Sequence, residues 1–207
     1  MDKNKIETIP SFYIDLDNFK MMNLEKKYDL IFVGRLAKNK GINLFIEAVK
    51  LLITNYQLPI KALIIGDGPL RKNYELRITN YGLKDNILFS GWVKGQEEIA
   101  KLLNQSRVFI LTSLNEGGPR VLLEAMACGV PVLATLVGIV PDIVRSGESG
   151  EVIEWNAADI AKKGSDLLHD RDKNQMYVLA GLEIAKQFEK KVAIKNYADK
   201  LKKFIKL

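Results

Sequence analysis

Along the chain, short runs of β-branched and other apolar residues alternate with longer stretches whose apolar positions recur at helical spacing. Asp29-Leu-Ile-Phe-Val-Gly34 reads as a buried strand closed by glycine. Residues 43–55 follow as a helix, with Leu44, Ala48, Leu51 and Leu52 at helical spacing. The same alternation predicts a strand over residues 60–65 and a helix over 70–81, then a strand over 86–90 and a helix over 96–105. Residues 107–112 form another buried strand, 121–128 a helix, and 131–134 a strand behind a turn. Residues 139–146 are predicted helical and 151–154 a strand, and two or three helices fill 157–207.

Near-continuous apolar strands, each followed by a helix, are the pattern of a parallel sheet covered on both faces. Right-handed crossovers wind such units into a doubly wound, Rossmann-like α/β sheet of about six strands. Ligands of these sheets bind beyond the carboxyl ends of the strands. Gly34-Arg35, residues 66–68, Gly91-Trp92 and residues 113–118 are therefore expected to converge on one crevice. Residues 1–28 read as a tether and 29–187 as the Rossmann-like domain. Residues 188–207 read as a basic amphipathic helix, in which Phe188, Val192, Ile194, Tyr197 and Leu201 are interspersed with lysine.

Composition sets limits on this picture. The 207 residues are 47% hydrophobic and 27% charged, an ordinary globular make-up. A chain this long buries roughly 70% of its unfolded surface without a disulfide or metal staple. A single cysteine, Cys128, excludes an intramolecular disulfide framework and any multi-cysteine metal site. A single histidine, His169, excludes a two-histidine zinc site. The N-terminus lacks the apolar core of a signal peptide. The most apolar stretch, residues 121–140, carries Glu124 and Gly129-Val130-Pro131, which makes it a poor membrane span. A cytoplasmic setting is expected, with the inner face of the membrane in reach. Lys and Arg number 31 against 25 Asp and Glu, a net +6, and this balance favours anionic partners, whether nucleotides, nucleic acid or an anionic membrane face, without choosing between them.

The densest chemical signal is Asn115-Glu-Gly-Gly-Pro-Arg-Val-Leu-Leu-Glu-Ala-Met-Ala127, between a strand exit and a helix. Pro119 suits the first helical position. Free amides at such a helix start, aided by the dipole, make an anion site, and Gly117 and Gly118 allow a phosphate or sugar close to the backbone. Glu124 falls about a turn and a half into the helix, among Leu, Ala and Met. An ionised carboxylate there is costly unless it is hydrogen-bonded. Its side chain leans toward the helix N-terminus, so it either accepts bonds from vicinal hydroxyls such as those of a ribose or takes the helix's one wet face. Glu116 is similarly open, as a site carboxylate or as a first-turn acid complementing the dipole.

Two acids with seven residues between them, Glu116 and Glu124, resemble the donor-site motif of retaining GT-B glycosyltransferases of family 4 (group 1). Phe32-Val-Gly-Arg-Leu36 with Lys40-Gly41 is similar to that family's Gly-Arg-Leu…Lys-Gly element. Ile64-Ile-Gly-Asp-Gly-Pro69, Phe89-Ser-Gly-Trp-Val93, Glu124-Ala-Met-Ala-Cys-Gly-Val-Pro131 and Val137-Gly138…Pro141-Asp142 match further landmarks in order. The resemblance runs from Ile9 to the C-terminus and implies the donor-binding half of a GT-B architecture. Its substrate would be a UDP- or GDP-sugar, with no cofactor, no metal and no nucleic acid. The acceptor site would lie in an N-terminal domain or a partner chain.

On this resemblance, Glu124 binds the ribose hydroxyls and Glu116 the hydroxyls of the donor sugar. Arg35 and Lys40 neutralise the diphosphate. The backbone amides of Gly117, Gly118, Arg120 and Val121 cradle phosphate and sugar. Gly34, Gly66 and Gly68 line the donor site, and Trp92 and Val93 meet the base. The implied reaction is retaining transfer of a hexosyl-type group to a glycan or lipid-linked acceptor. The alternative is a non-catalytic nucleotide-binding or interaction module that has lost transfer.

Two positions depart from the family pattern. Gly118-Pro119 replaces a common Phe-Gly, and proline has no N–H to donate. Ile139 stands where a second glycine is common. Three other features mimic sites. Asp15-Leu-Asp17 has the spacing of a metal-binding Asp-x-Asp but precedes the first strand. Gly66-Asp67-Gly68 is a truncated dinucleotide fingerprint with Arg71 in the third glycine's place. Cys128 and His169 read as a packed residue and a surface residue respectively.

Overall fold

The computed structural model describes residues 13–205. Residues 1–12 of the expected tether and 206–207 of the expected terminal helix lie outside the described residues. Six strands, β1 (Tyr28–Val33), β2 (Ala62–Ile65), β3 (Ile87–Gly91), β4 (Ser106–Leu111), β5 (Val132–Ala134) and β6 (Glu151–Val152), form one sheet in the order β3-β2-β1-β4-β5-β6. All neighbours pair in parallel. Between the strands run α1 (Ile42–Thr54), α2 (Arg71–Asn80), α3 (Gln96–Asn104), α4 (Arg120–Ala127) and α5 (Val140–Ile143). After β6 come α6 (Ala157–His169), α7 (Arg171–Gln187) and α8 (Lys190–Ile205). The chain winds outward from β1 to β3, then returns to place β4 against the other side of β1. This reversal is the topological switch point, where a doubly wound sheet opens a crevice.

Strand side chains alternate between two apolar layers. Leu30, Phe32, Ile64 and Ile110 pack with Phe45, Val49 and Leu52 of α1 and Ile160 of α6. Ile31, Leu63, Phe109 and Val132 pack with Leu103 of α3 and Leu122 and Met126 of α4. Each fully buried Leu, Ile or Phe contributes about 1.5–3 kcal/mol relative to exposure, so the strands are held from both faces. Ile14 and Phe19 are buried in the second layer, and the Ile14 amide donates to the Phe188 carbonyl at 2.8 Å. The segment before β1 is thereby stapled to the end of α7.

Most element ends match the sequence-based expectation within a residue or two. One helix is much shorter than the pattern predicts: residues 139–146 form only α5, and Val144 is extended (φ −107°, ψ 115°). The cause is Ser149, whose hydroxyl donates to the Ile143 carbonyl at 2.9 Å and accepts the Arg145 amide at 3.0 Å. A side chain thus supplies bonds that a further helical turn would have made. Likewise the strand expected over 151–154 ends at Val152. Among the described residues no helix is long and apolar enough to cross a membrane.

Candidate functional site

The exits of β1 and β2 close on each other through backbone. Gly34 donates to Ile65 at 2.9 Å, Leu36 to Asp67 at 2.9 Å, and Leu70 to Leu36 at 3.1 Å. A Cβ at Gly66, where φ is +134°, would stand 2.0 Å from the Gly34 carbonyl oxygen, and one at Gly68 would stand 2.6 Å from that of Leu36. These glycines therefore allow the two strand exits to touch. Arg35 leaves the same exit exposed, with no ion pair among the described residues.

Lys40 ends a 3-10 turn (Lys38–Lys40) that is laced to the exit of β4. The Thr112 hydroxyl donates to the Lys40 carbonyl at 2.8 Å, and the Leu114 amide to the Asn39 carbonyl at 2.8 Å. Asn39 also donates its side-chain amide to Asn115 Oδ1 at 3.0 Å. This lacing sets Lys40 Nζ on Glu116 Oε1, and the same oxygen accepts the Ser113 hydroxyl at 2.7 Å. The lysine and glutamate side chains are only 22% and 16% exposed, so their attraction is less screened than that of a surface pair. Glu116 Oε2 has no hydrogen-bond partner among the described residues.

Pro119 sits one residue earlier than expected, as the N-cap of α4, with ψ of 87° outside the helical range. The first helical residue is Arg120. The Leu122 amide reaches back to Pro119 at 3.0 Å, while the amides of Arg120 and Val121, one turn from any helical acceptor, remain available to an anion. The Arg120 guanidinium lies 5.9 Å from the centre of the Tyr13 ring. Gly117 is exposed and open on its Cβ side, and Gly118 is half-buried. Gly138, at φ +53°, packs beneath this loop, where a Cβ would stand 2.5 Å from the Gly117 carbonyl oxygen.

Glu124, one turn further along α4, is half-buried, and its carboxylate has no hydrogen-bond partner among the described residues. Burial pushes its pKa above the ordinary glutamate value, and the Arg120 charge opposes this only in part. At the exit of β3, Trp92 is 79% exposed, and Val93 packs against the layer that holds α3 and α4.

The crevice residues expected from sequence thus all stand at strand exits or on α4. Direct side-chain contact joins Lys40 with Glu116, whereas Arg35, Glu124 and Trp92 remain separate. The other features read as mimics have local roles. Asp15 accepts the Asp17 amide at 3.0 Å and the Asn18 side chain at 2.9 Å. Arg71 pairs with Glu75 at 2.8 Å. His169 ends α6, exposed, against the Ser165 carbonyl at 2.8 Å.

Sequence reasoning placed Ser113 in the crevice but gave its hydroxyl no partner, and it missed Thr135 and Trp155. The Thr135 hydroxyl donates to the Ser113 carbonyl at 2.6 Å, and the Trp155 indole to the Thr112 carbonyl at 2.9 Å. Ser113 and Trp155 also line a groove of about 570 Å³ beyond β4, β5 and β6. The available signal was position alone, because Ser113 stands three residues before Glu116 at the exit of β4. A second cavity, about 510 Å³, lies at the opposite end of the strands, before β4 and β5, between residues 21–26, α6 and α7, and holds none of the crevice residues.

A doubly wound sheet with this strand order, opening at a lysine, two carboxylates and a free helix start, is the Rossmann-like architecture of GT-B glycosyltransferases. Residues 15–188 match the family described as "Glycosyl transferases group 1", and the chain belongs to that family. It is 30% identical over 203 residues to the N-acetyl-alpha-D-glucosaminyl L-malate synthase of Bacillus anthracis, covering 93% of this chain and 52% of that protein. It is 32% identical over 176 residues to the UDP-Gal:alpha-D-GlcNAc-diphosphoundecaprenol alpha-1,3-galactosyltransferase of Escherichia coli, covering 77% of this chain and 44% of that one. The C-terminal domain of the glycosyl transferase group 1 family protein LpcC from Francisella tularensis has a similar structure, with a TM-score of 0.77 at 25% identity, over 86% of this chain and 99% of that one. Anabaena HepE in complex with UDP shares the fold at a TM-score of 0.81 and 22% identity, over 92% of this chain and 56% of that one. The chain spans about half the length, or less, of the curated relatives it matches.

Proposed function

We propose that this chain is the donor-binding half of a retaining, metal-independent glycosyltransferase, taking a UDP- or GDP-sugar and acting with an acceptor domain or partner chain. The reaction is transfer of a hexosyl-type group to a glycan or lipid-linked acceptor. Two observations carry the reading: the Lys40–Glu116 pair at the exit of β4 and, on the helix that follows, the half-buried carboxylate of Glu124 with no hydrogen-bond partner among the described residues. The UDP-sugar donor and the diphosphoundecaprenol acceptor named for the E. coli relative support it, as does the UDP bound to HepE.

In this reading the negative charge that grows on the departing diphosphate is met by Lys40, Arg35 and the amides at the start of α4. Lys40 leaves Glu116 for the diphosphate, and the freed carboxylate accepts the hydroxyls of the donor sugar. Glu124 accepts the ribose hydroxyls, which supply the hydrogen bonds its half-buried charge lacks. Positive charge developing on the sugar ring is balanced by Glu116 and by the leaving phosphate on the same face, an arrangement suited to retention. The lysines of α8 and its exposed Val192, Ile194, Tyr197 and Leu201 support peripheral contact with the anionic inner face of a membrane.

Calorimetric titration with UDP, GDP and ADP tests the reading. One nucleotide should bind the wild type, and Glu124→Ala should weaken it about tenfold. Equal binding to both proteins overturns the ribose assignment, and no binding of UDP or GDP overturns the donor reading.

A further inference from the structure

The two groups that hold Glu116 differ in kind. Lys40 carries its charge on a flexible stem, and under the proposed function the diphosphate draws it away. Ser113 is fully buried (0% exposed) and cannot follow. Its carbonyl is clamped by the Thr135 hydroxyl from the exit of β5, and the preceding Thr112 is clamped by the Trp155 indole and bonded to the Lys40 carbonyl. The Ser113 hydroxyl therefore projects from a backbone fixed on two sides, and it donates to one oxygen of Glu116 while the other has no partner.

From this geometry we infer that Ser113 is a positioning residue. Its hydroxyl retains Glu116 Oε1 once Lys40 has moved to the diphosphate, so that Oε2 stays aimed at the donor sugar. The inference rests on the proposed donor reading and deepens it, because Ser113 touches no substrate and acts only through Glu116. A hydroxyl bonded to a carboxylate is shorter and stronger than a neutral hydrogen bond. It also spares the glutamate the rotamer entropy it would lose on ordering at the moment of binding.

The signature is confined to the sugar. UDP and GDP, and then UDP-glucose, UDP-galactose, UDP-N-acetylglucosamine and GDP-mannose, are titrated into the wild type, Ser113→Ala, Glu116→Ala and the double variant. For the nucleotide that binds, Ser113→Ala should leave its affinity unchanged, which also shows that the variant is folded. The added affinity conferred by the sugar should fall about tenfold. In the Glu116→Ala background, removing Ser113 should change nothing further. An unchanged sugar increment in Ser113→Ala overturns the inference, as does a further loss in the double variant or a parallel loss of bare nucleotide. If neither UDP nor GDP binds the wild type, the donor reading itself fails. The hold of Ser113 on Glu116 is then read by denaturant unfolding in a Lys40→Met background. Non-additive costs of Ser113→Ala and Glu116→Ala support it there, and additive costs overturn it.

Discussion

Lys40 and Glu116 stand 76 positions apart in the chain, yet their charged ends meet where β1 and β4 leave the sheet. Neither side chain is more than about a quarter exposed, so removing one partner strands a charge in a poorly solvated place. In urea unfolding of the free protein, the costs of Lys40→Met and Glu116→Gln should together exceed that of the double variant by a coupling of about 1 kcal/mol. Saturation with the bound nucleotide should shrink that coupling, because Lys40 then serves the diphosphate. Additive single costs would show that the contact contributes no attraction.

Glu124 should trade stability for binding. Burial raises its folded pKa, so in the free protein the charged form is disfavoured and subtracts stability at pH values above that raised value. The penalty fades as pH falls through it toward the ordinary glutamate value of 4.5. Glu124→Gln should therefore melt at a higher temperature than the wild type at pH 7, with the gap closing near pH 4.5, while nucleotide affinity falls. A lower melting temperature for the variant at pH 7 would mean that the carboxylate is already satisfied without a ligand.

The acid response of Glu151 has the opposite sign. Burial pushes its pKa up, but hydrogen bonds from Lys173 and Tyr177, each at 2.5 Å, outweigh this and hold it below 4.5. The bonds from α7 to β6 thus contribute stability that is complete above pH 4.5 and lost as pH falls through the depressed value. Glu151→Gln should cost about 2 kcal/mol at pH 7 and flatten the fall in stability below pH 4.5. Denaturant midpoints measured from pH 7 to pH 3 decide it. An unchanged acid slope would remove Glu151 from the account.

The sheet and the crevice were legible in the sequence because strands buried on both faces leave unbroken apolar runs, and because glycines and charges cluster where those runs stop. Lys40 and Glu116 could be placed at the same end of the sheet by strand order alone. The partners of Ser113, Thr135 and Trp155 could not be read that way, since what a hydroxyl or indole does depends on which acceptor the folded neighbours present. The carbonyl that Trp155 meets lies 43 positions earlier. Gly66 and Gly68 show the same limit. Their lack of a side chain is plain in the sequence, but only the fold reveals that a neighbouring strand exit fills the space. The over-long helix at 139–146 has a similar origin, because helical spacing continues past Ile143 while Ser149, outside the pattern, takes up the backbone groups.

Cys128 should be inert in the folded chain. Burial, and then the Glu124 charge, push its thiol up to about 12, so almost no thiolate forms at neutral pH. A disulfide reagent such as Ellman's at pH 8 should label it only as fast as the protein unfolds, and labelling should become immediate in denaturant. Rapid labelling of the native chain would reinstate it as a reactive group.

Two glycines with nearly the same backbone angle separate torsional strain from close approach. Gly82 has φ +68° and open space on its Cβ side, whereas Gly41 has φ +64° and a Cβ position only 2.1 Å from the Thr112 carbonyl oxygen. Gly82→Ala should therefore cost only the left-handed penalty of about 1 kcal/mol. Gly41→Ala meets backbone that cannot retreat freely, because the same carbonyl receives the Trp155 indole and the Thr112 hydroxyl holds Lys40. Its cost should reach about 3 kcal/mol, and the turn that carries Lys40 should be pushed off the exit of β4. Nucleotide binding should consequently weaken in Gly41→Ala even at temperatures where the variant remains folded, and stay intact in Gly82→Ala. If unfolding measurements give the two alanines the same cost, the turn relaxes without resistance, and the lacing between Lys40 and Thr112 is too loose to set the ammonium opposite Glu116.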